Sequence, residues 1–217
     1  MRIAVLMGGT SAERQVSLAS GKGIVKGLRA SGHEATAIDA ATGEVLSDER
    51  LEEMAQITAT PPAETRGSRR ALSTCPALLT ADLAFIIVHG GEGEDGTLQA
   101  FLEIMDIPYT GSDMRTCALT WDKEVTRRLL ADGGVPVAEG VYLPPRPAAA
   151  LHDTAAIHDR VMAACGYPVI VKPPMQGSTI GISKVEDRAG LAPAVAAAAQ
   201  FGGGVLIERF IPGHELT

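Results

Sequence analysis

The sequence contains little cysteine, few aromatic residues and no long hydrophobic run. It has 3 cysteines in 217 residues, and no two of them form a Cys-x-x-Cys pair, which excludes a disulfide framework and a cysteine-ligated zinc site. No stretch of about 18 uninterrupted apolar residues is present, so no membrane-spanning segment is expected. The apolar segment 3–7 is too short for a signal-peptide core and runs into glycines, as a first buried strand would. We therefore expect a cytoplasmic protein with no membrane partner.

The sequence also has fewer basic than acidic residues. The chain has 19 Lys and Arg against 26 Asp and Glu, for a net charge of -7. Because no long basic stretch is present, we expect no nucleic-acid partner bound through phosphate neutralisation. The chain is 46% hydrophobic and 21% charged, which is typical of a folded protein, and its length permits one large or two small domains.

The positive signal is a repeated alternation of short apolar runs and helical segments. Strands are predicted at 3–6, 34–38 and 83–88, and a helix at 17–30. The run 83–88 is apolar on both faces, which favours a central parallel strand. The chain is therefore predicted to be an α/β protein with a parallel sheet. The proline- and arginine-bearing segment 58–76 is predicted to be a solvated surface loop.

A change in composition divides the chain. Prolines at 144, 145 and 147, beside an alanine run, predict a domain boundary because proline does not fit a helix interior or a central strand. We expect an N-terminal α/β domain at 1–144, whose helices at 112–131 lead to the linker. A second domain of helices and strands is expected at 145–217.

The strand predicted to end at Lys172 carries the most informative local pattern. A lysine that finishes a buried strand is costly unless an anion or the solvent receives its charge. The following loop, 176–181, has glycines and hydroxyls that suit a polyphosphate. The alternative is that Lys172 extends to solvent beside an ordinary hairpin. Lys123, at the start of a predicted helix, is a second candidate, and its alternative is a solvated residue in the first turn of that helix.

Further candidates lie at the ends of predicted strands. Glu13 follows the first strand, in a segment without the G-x-G-x-x-G dinucleotide fingerprint, and either binds a substrate ammonium or caps the helix. His89 follows the third strand, where ligands bind in open α/β sheets, although a histidine considered alone is more often a hydrogen-bonded structural residue than a catalyst. Glu208 and Glu215 are either surface acids or acceptors for an exocyclic amine and ribose hydroxyls.

Taken in order, these segments resemble the D-alanine–D-alanine ligases of the ATP-grasp superfamily. The resemblance is collinear over nearly the whole chain, apart from 49–81, which does not match well. Its motifs are Gly8-Gly9-Thr10-Ser11-Ala12-Glu13-Arg14, the segment 89–99, Pro108-Tyr109-Thr110-Gly111-Ser112, Asp122-Lys123, Val169-Ile170-Val171-Lys172-Pro173, Gly177-Ser178-Thr179-Ile180-Gly181 and the segment 208–215.

The resemblance implies a fold and a reaction. The fold would be a Rossmann-like parallel-sheet domain, called preATP-grasp, followed by an incomplete α+β ATP-grasp domain. ATP would phosphorylate the carboxylate of one D-alanine, and the amine of a second D-alanine would attack the acyl phosphate, giving D-alanyl-D-alanine for peptidoglycan precursors. A homodimer formed through the N-terminal domain is also implied.

The resemblance also assigns residues. Glu13 and Ser178 would be catalytic, with Glu13 holding the ammonium of the first D-alanine and His89 beside that amino acid. The loop 176–181 would cover the phosphates, which Lys123 and Lys172 would neutralise. The residues assigned to ATP are Lys123, Lys172, Gly177, Ser178, Thr179, Glu208, Arg209, Ile211 and Glu215.

The family extends further than this sequence, and the resemblance places the Mg²⁺ ligands in that additional part. We accordingly expect no metal site in the sequence, and little or no ligase turnover from these 217 residues alone. Three alternatives stay open: a D-alanine–D-lactate type of ligase, a non-catalytic fragment that binds a nucleotide or an amino acid, and a dinucleotide-dependent oxidoreductase. The missing fingerprint argues against the oxidoreductase.

Overall fold

The computed structural model describes residues 1–56, 67–145, 153–177 and 179–214. The chain forms two compact units, Met1–Ala118 and Leu119–Thr217. Among the described residues, no helix is both long enough and apolar enough to cross a membrane.

The first unit contains a parallel sheet with β1 at its centre. The strands are β1 (Arg2–Met7), β2 (Glu34–Asp39) and β3 (Leu83–Ile86), in the order β2-β1-β3. The helices are α1 (Arg14–Ala30), α2 (Asp48–Met54), α3 (Arg69–Ser73), α4 (Pro76–Leu79), α5 (Thr97–Ile104) and α6 (Met114–Trp121), which contains the division point between the units. The predicted parallel sheet is therefore present.

Side chains of β1 are buried on both faces of this sheet. Ile3, Val5 and Met7 pack in one apolar cluster with residues of α1 and α2. Ala4 and Leu6 pack in another, with residues of α4 and α5. Since each fully buried Leu, Ile or Met side chain contributes about 1.5–3 kcal/mol, the continuous apolar run of β1 selects a central position in the sheet.

The second unit contains an antiparallel sheet. Its strands are β4 (Gly140–Leu143), β5 (Val169–Lys172), β6 (Ser183–Val185) and β7 (Val205–Arg209), in the order β4-β7-β5-β6. Its further helices are α7 (Lys123–Asp132), α8 (Thr154–Ala164) and α9 (Arg188–Ala199). Helices α8 and α9 pack on the sheet face that carries Val169 and Val171. Because side chains alternate along a strand, Lys172 belongs to the opposite face.

The structural division differs from the sequence-based boundary at 144/145. Strand β4 precedes the prolines but pairs with β7, with Gly140 opposite Glu208, so it belongs to the second sheet. Pro144 and Pro145 end a strand rather than separate two domains. Pro147 lies outside the described residues.

The prediction of a surface loop at 58–76 was wrong for its second part. Residues 57–66 lie outside the described residues, but α3 begins at Arg69. The side chain of Ser68 accepts a hydrogen bond of 3.2 Å from the backbone N–H of Ala71 and so caps this helix. Leu72 is buried in the core of the first unit, which gives the short helix its tertiary support.

Candidate functional site

The loop between β1 and α1 is held by a buried ion pair. Arg14 donates hydrogen bonds of 2.8 and 2.5 Å to the two carboxylate oxygens of Asp39, and one of 2.9 Å to the carbonyl of Gly9. The backbone of Gly8 has φ of +77°, and a methyl group there would lie 2.7 Å from both Arg14 Nη1 and Asp39 Oδ1. Only glycine fits this position, because a side chain would be strained and would also displace the ion pair.

Ser11 joins this loop to the loop after β3. Its hydroxyl donates to the carbonyl oxygen of His89 at 2.5 Å and accepts from the backbone N–H of Glu13 at 3.1 Å. Gly90 is buried with φ of +68°, and a methyl group there would lie 2.7 Å from Glu13 Oε2. The carboxylate of Glu13 therefore lies over a backbone that carries no side chain. His89 Nδ1 is 3.8 Å from a carboxylate oxygen of Glu94.

The first unit thus places Glu13 and His89 at the carboxyl edge of its parallel sheet, as predicted for a ligand site in an α/β fold. Glu13 occupies the N-cap position of α1, but its side chain makes no capping hydrogen bond to that helix. Both side chains are partly exposed and so are accessible to a small molecule.

In the second unit, Lys172 forms an ion pair with Glu208. The two charged atoms, Lys172 Nζ and Glu208 Oε2, are 2.5 Å apart, and the side chains are only 20% and 13% exposed. Lys172 pairs in the sheet with Leu206, two residues before Glu208, so the lysine and the glutamate are diagonal neighbours on one face. This face is the one opposite α8 and α9, as the alternation of side chains requires.

Lys123 lies at the first turn of α7. Its ammonium donates a hydrogen bond of 2.6 Å to the carbonyl of Gln176, and its backbone N–H donates to the carbonyl of Pro174 at 3.1 Å. Asp122 caps α7 by accepting from two backbone N–H groups of the first turn. These contacts connect α7 to the loop that follows β5.

A cleft in the second unit brings the two lysines and Glu208 together. Its volume is about 260 Å³. The residues that line it are Thr120, Lys123, Thr126, Arg127, Leu130, Val137, Ala138, Lys172 and Glu208. Lysines that are distant in the sequence thus meet at one concave surface, and the arrangement can bind a polyanion that also carries a hydrogen-bond donor for Glu208.

The other described residues that the resemblance assigns to ATP are not among those that line this cleft. Arg209 makes an ion pair with Glu139, and Ile211 is exposed. Gly177 and Thr179 accept backbone hydrogen bonds in successive turns of the loop after β5, and Thr179 has φ of +60°. Ser178 and Glu215 lie outside the described residues.

Two groups of residues were missed by the sequence analysis. The pair of Arg14 and Asp39 was missed because it links a loop to a strand end across the fold. Arg127 was missed because no motif contains it. A signal for Arg127 was nevertheless present, since it follows Lys123 by four positions and so shares its helix face.

The described residues do not form a Mg²⁺ site. Among them, no three acidic, histidine or cysteine side chains come close enough together to hold a metal ion. The carboxylate that lines the cleft, Glu208, is paired with Lys172 instead, and Glu124 on α7 is paired with Arg127. The donor set is therefore that of an anion site and not that of a hard-cation site.

Comparison with known proteins identifies the family. A family model described as D-ala D-ala ligase N-terminus matches residues 2–112, and one described as D-ala D-ala ligase C-terminus matches residues 129–217. The chain belongs to the D-alanine–D-alanine ligase family. This membership removes the oxidoreductase alternative.

Individual D-alanine–D-alanine ligases match over nearly the whole chain. The ligase of Polaromonas sp. (strain JS666) is 38% identical over 216 residues, which are 100% of this chain and 54% of that protein. The ligase of Marinomonas sp. (strain MWYL1) is 39% identical over 217 residues, with 99% of this chain and 58% of that protein covered. The chain therefore spans somewhat more than half the length of these relatives.

Solved D-alanine–D-alanine ligases share the fold. The structure from Coxiella burnetii superposes with a TM-score of 0.75 at 27% identity, covering 97% of this chain and 64% of that one. The structure from Helicobacter pylori has a TM-score of 0.72 at 24% identity and supports the fold alone. The predicted fold class, a parallel-sheet α/β domain followed by part of an ATP-grasp domain, is confirmed by these ligases.

Proposed function

We propose that this chain serves the ATP-dependent ligation of two D-alanines to D-alanyl-D-alanine for peptidoglycan precursor synthesis. The observation that carries the proposal is the cleft at which Lys123, Lys172 and Glu208 meet. Two ammonium groups and one carboxylate at a concave surface suit a nucleotide, whose phosphates are anionic and whose adenine carries an exocyclic amine.

The proposed role of Glu13 is to hold the ammonium of the first D-alanine. Its position supports this, because the absence of a side chain at Gly90 lets the Glu13 carboxylate approach the loop after β3, at the carboxyl edge of the parallel sheet where ligands bind in such folds. The hydrogen bonds of Ser11 fix the backbone on both sides of that space. His89 would lie beside the bound amino acid, and Ser178 would assist in its placement.

In the nucleotide site, Lys172 and Lys123 would neutralise the phosphates while Glu208 accepts from the adenine amine. Arg209 and Ile211 would contact the base through their backbone, Glu215 the ribose, and the loop containing Gly177 and Thr179 the phosphates. Lys172 and Glu208 form an ion pair with each other in this structure, so a bound nucleotide would have to break that pair and contact each side chain itself. The loss of that half-buried pair would be offset by charge-assisted hydrogen bonds to the ligand.

The chemistry follows from charge placement. A carboxylate oxygen of the first D-alanine attacks the γ-phosphorus, and ADP leaves as the acyl phosphate forms. The neutral amine of the second D-alanine then attacks the acyl carbon, and the carbon–oxygen bond breaks to release inorganic phosphate as the nitrogen loses a proton. In both steps Glu13, Lys123, Lys172 and Glu208 would bind and orient the substrates. We also propose, from the family resemblance, a cytoplasmic homodimer formed through the N-terminal domain.

Calorimetric titration of ATP tests the nucleotide site. Lys172→Met is expected to weaken ATP binding about tenfold or more, because a charge-assisted contact is lost in a partly desolvated cleft. Lys184→Met is the matched control, since Lys184 lies on the neighbouring strand, is more exposed and pairs with Glu186. Equal ATP affinity in the wild type and the Lys172 variant would contradict the assigned site.

Titration with D-alanine tests the first-substrate site. We expect the wild type to bind D-alanine in preference to L-alanine, and Glu13→Gln to lose most of that affinity because the ammonium loses its counter-charge. Glu34→Gln serves as the control, because Glu34 is exposed at the start of β2. If Glu13→Gln binds D-alanine as the wild type does, the ammonium is held elsewhere.

A further inference from the structure

The cleft of the second unit contains a third cation, Arg127. Four of the residues that line the cleft belong to α7, and they are Lys123, Thr126, Arg127 and Leu130. Their spacing of three, four and seven positions puts them on one face of the helix, which is the face turned to Lys172. The side chain of Arg127 is 20% exposed, so it is held in the cleft rather than extended into solvent.

Glu124 fixes the orientation of this arginine. The Glu124 carboxylate, whose side chain is 5% exposed, accepts a hydrogen bond of 2.9 Å from Arg127 Nε and lies 2.9 Å from Arg127 Nη2. Both nitrogens approach the same oxygen, Glu124 Oε2, and this two-point contact restricts the orientation of the planar guanidinium. It uses Nε and Nη2, and among the described residues no group accepts from Nη1.

The charge of Arg127 is not fully neutralised by that contact. The same carboxylate also accepts a hydrogen bond of 2.5 Å from Arg128 Nε. One negative charge is thus shared by two guanidinium groups, and the cluster retains a net charge of +1. Lys172, in contrast, is neutralised by its own partner Glu208.

We infer that Arg127 is a phosphate-binding residue of this cleft, positioned by Glu124 and acting with Lys123 and Lys172. The inference rests on the proposed function, because the phosphates in question are those of the bound nucleotide. A triphosphate carries several negative charges, and phosphoryl-transfer sites surround it with several fixed cations. A guanidinium that is already oriented loses little conformational entropy on binding an anion.

Arg128 provides a matched control within the same helix. It pairs with the same carboxylate, but its side chain is 67% exposed and lies near the ring of Tyr142 instead of lining the cleft. Arg127→Ala and Arg128→Ala therefore remove the same charge and the same partner of Glu124. They differ in whether the lost guanidinium faces the cleft.

The experiment is a calorimetric titration of the full chain with ATP, ADP, AMP and adenosine, with thermal unfolding measured for each variant. Arg127→Ala is expected to weaken ATP binding about tenfold and to change adenosine binding less than twofold, because only the phosphates contact the guanidinium. Arg127→Lys should recover part of the loss, since it keeps the charge without the fork geometry. Arg128→Ala should change the affinity for ATP less than twofold.

The outcomes separate this inference from the function on which it rests. If the wild type and Lys172→Met differ in ATP affinity but Arg127→Ala matches the wild type, the inference is overturned and the nucleotide site stands. Equal losses for Arg127→Ala and Arg128→Ala, or an equal loss for adenosine and ATP, overturn it as well. Absence of ATP binding by the folded wild type overturns both.

Discussion

The buried ion pair of Arg14 and Asp39 allows a stability prediction with a defined magnitude. Arg14→Met removes three hydrogen bonds donated by the guanidinium, two of them to Asp39 and one to the carbonyl of Gly9. The carboxylate of Asp39 then keeps only the backbone N–H of Ala41, at 3.0 Å, as a described partner. An uncompensated buried charge results, because the Asp39 side chain is 1% exposed.

The expected cost is about 3–5 kcal/mol, which is typical when one partner of a buried ion pair is removed. Asp39→Ala should cost a similar amount by leaving Arg14 unpaired. The double variant should cost at least about 2 kcal/mol less than the sum of the single changes, since the second substitution removes the orphaned charge. Arg50→Met is the control: Arg50 pairs with Glu53 at 3.2 Å, both side chains are more than half exposed, and the expected change is below about 0.5 kcal/mol.

The assay has to report on the first unit alone, because a chain with two compact units need not unfold in a single transition. The chain has one tryptophan, Trp121, which lies in the second unit, so its fluorescence is unsuitable. Hydrogen exchange of the β1 amides gives the opening free energy of the parallel sheet directly. A loss of less than about 1 kcal/mol in Arg14→Met, or strictly additive costs in the double variant, would refute the argument from buried charge.

Three further predictions concern particular backbone and side-chain environments. Gly8→Ala should destabilise the first unit by about 2 kcal/mol or more by hydrogen exchange, because its φ is +77° and the methyl group would meet the ion pair; Gly27→Ala, in a helix with open space around it, should instead stabilise by about 0.5–1 kcal/mol. Burial and the nearby carboxylate of Glu103 raise the pKa of Tyr109 to about 12. The folded state therefore holds this proton more tightly, and the resulting stability is present below pH 10 and lost as the pH rises towards 12; ultraviolet titration should show a lower pKa in Glu103→Gln. Gly140→Val should accelerate exchange of the β7 amides, because a side chain there would overlap the β7 backbone, and unchanged protection would contradict this packing.

The fold was predictable where one physical cause acts locally. The apolar run of β1 indicates a central strand, because a strand with apolar side chains on both faces needs apolar partners on both sides of the sheet. In the structure, an apolar cluster lies on each side of β1. The position of β4 was not predictable in this way. Whether a strand before a proline group ends one domain or begins the next depends on its partner, and the partner of β4 is β7, far along the chain.

The same distinction between local and long-range causes applies to the site. Motif spacing selected Lys123, Lys172 and Glu208, and the structure brings all three to one cleft, although their roles stay predictions. It did not select Arg127, whose significance comes from two facts that no motif contains. One is that Arg127 lies on the same face of α7 as Lys123, which the spacing of four residues indicates once a helix is predicted there. The other is that Glu124 is shared with Arg128, and a carboxylate shared by two arginines leaves the cleft a positive charge that a simple pairing would have removed. Counting charges along a sequence cannot reveal this, because the surplus depends on which groups share a partner in three dimensions.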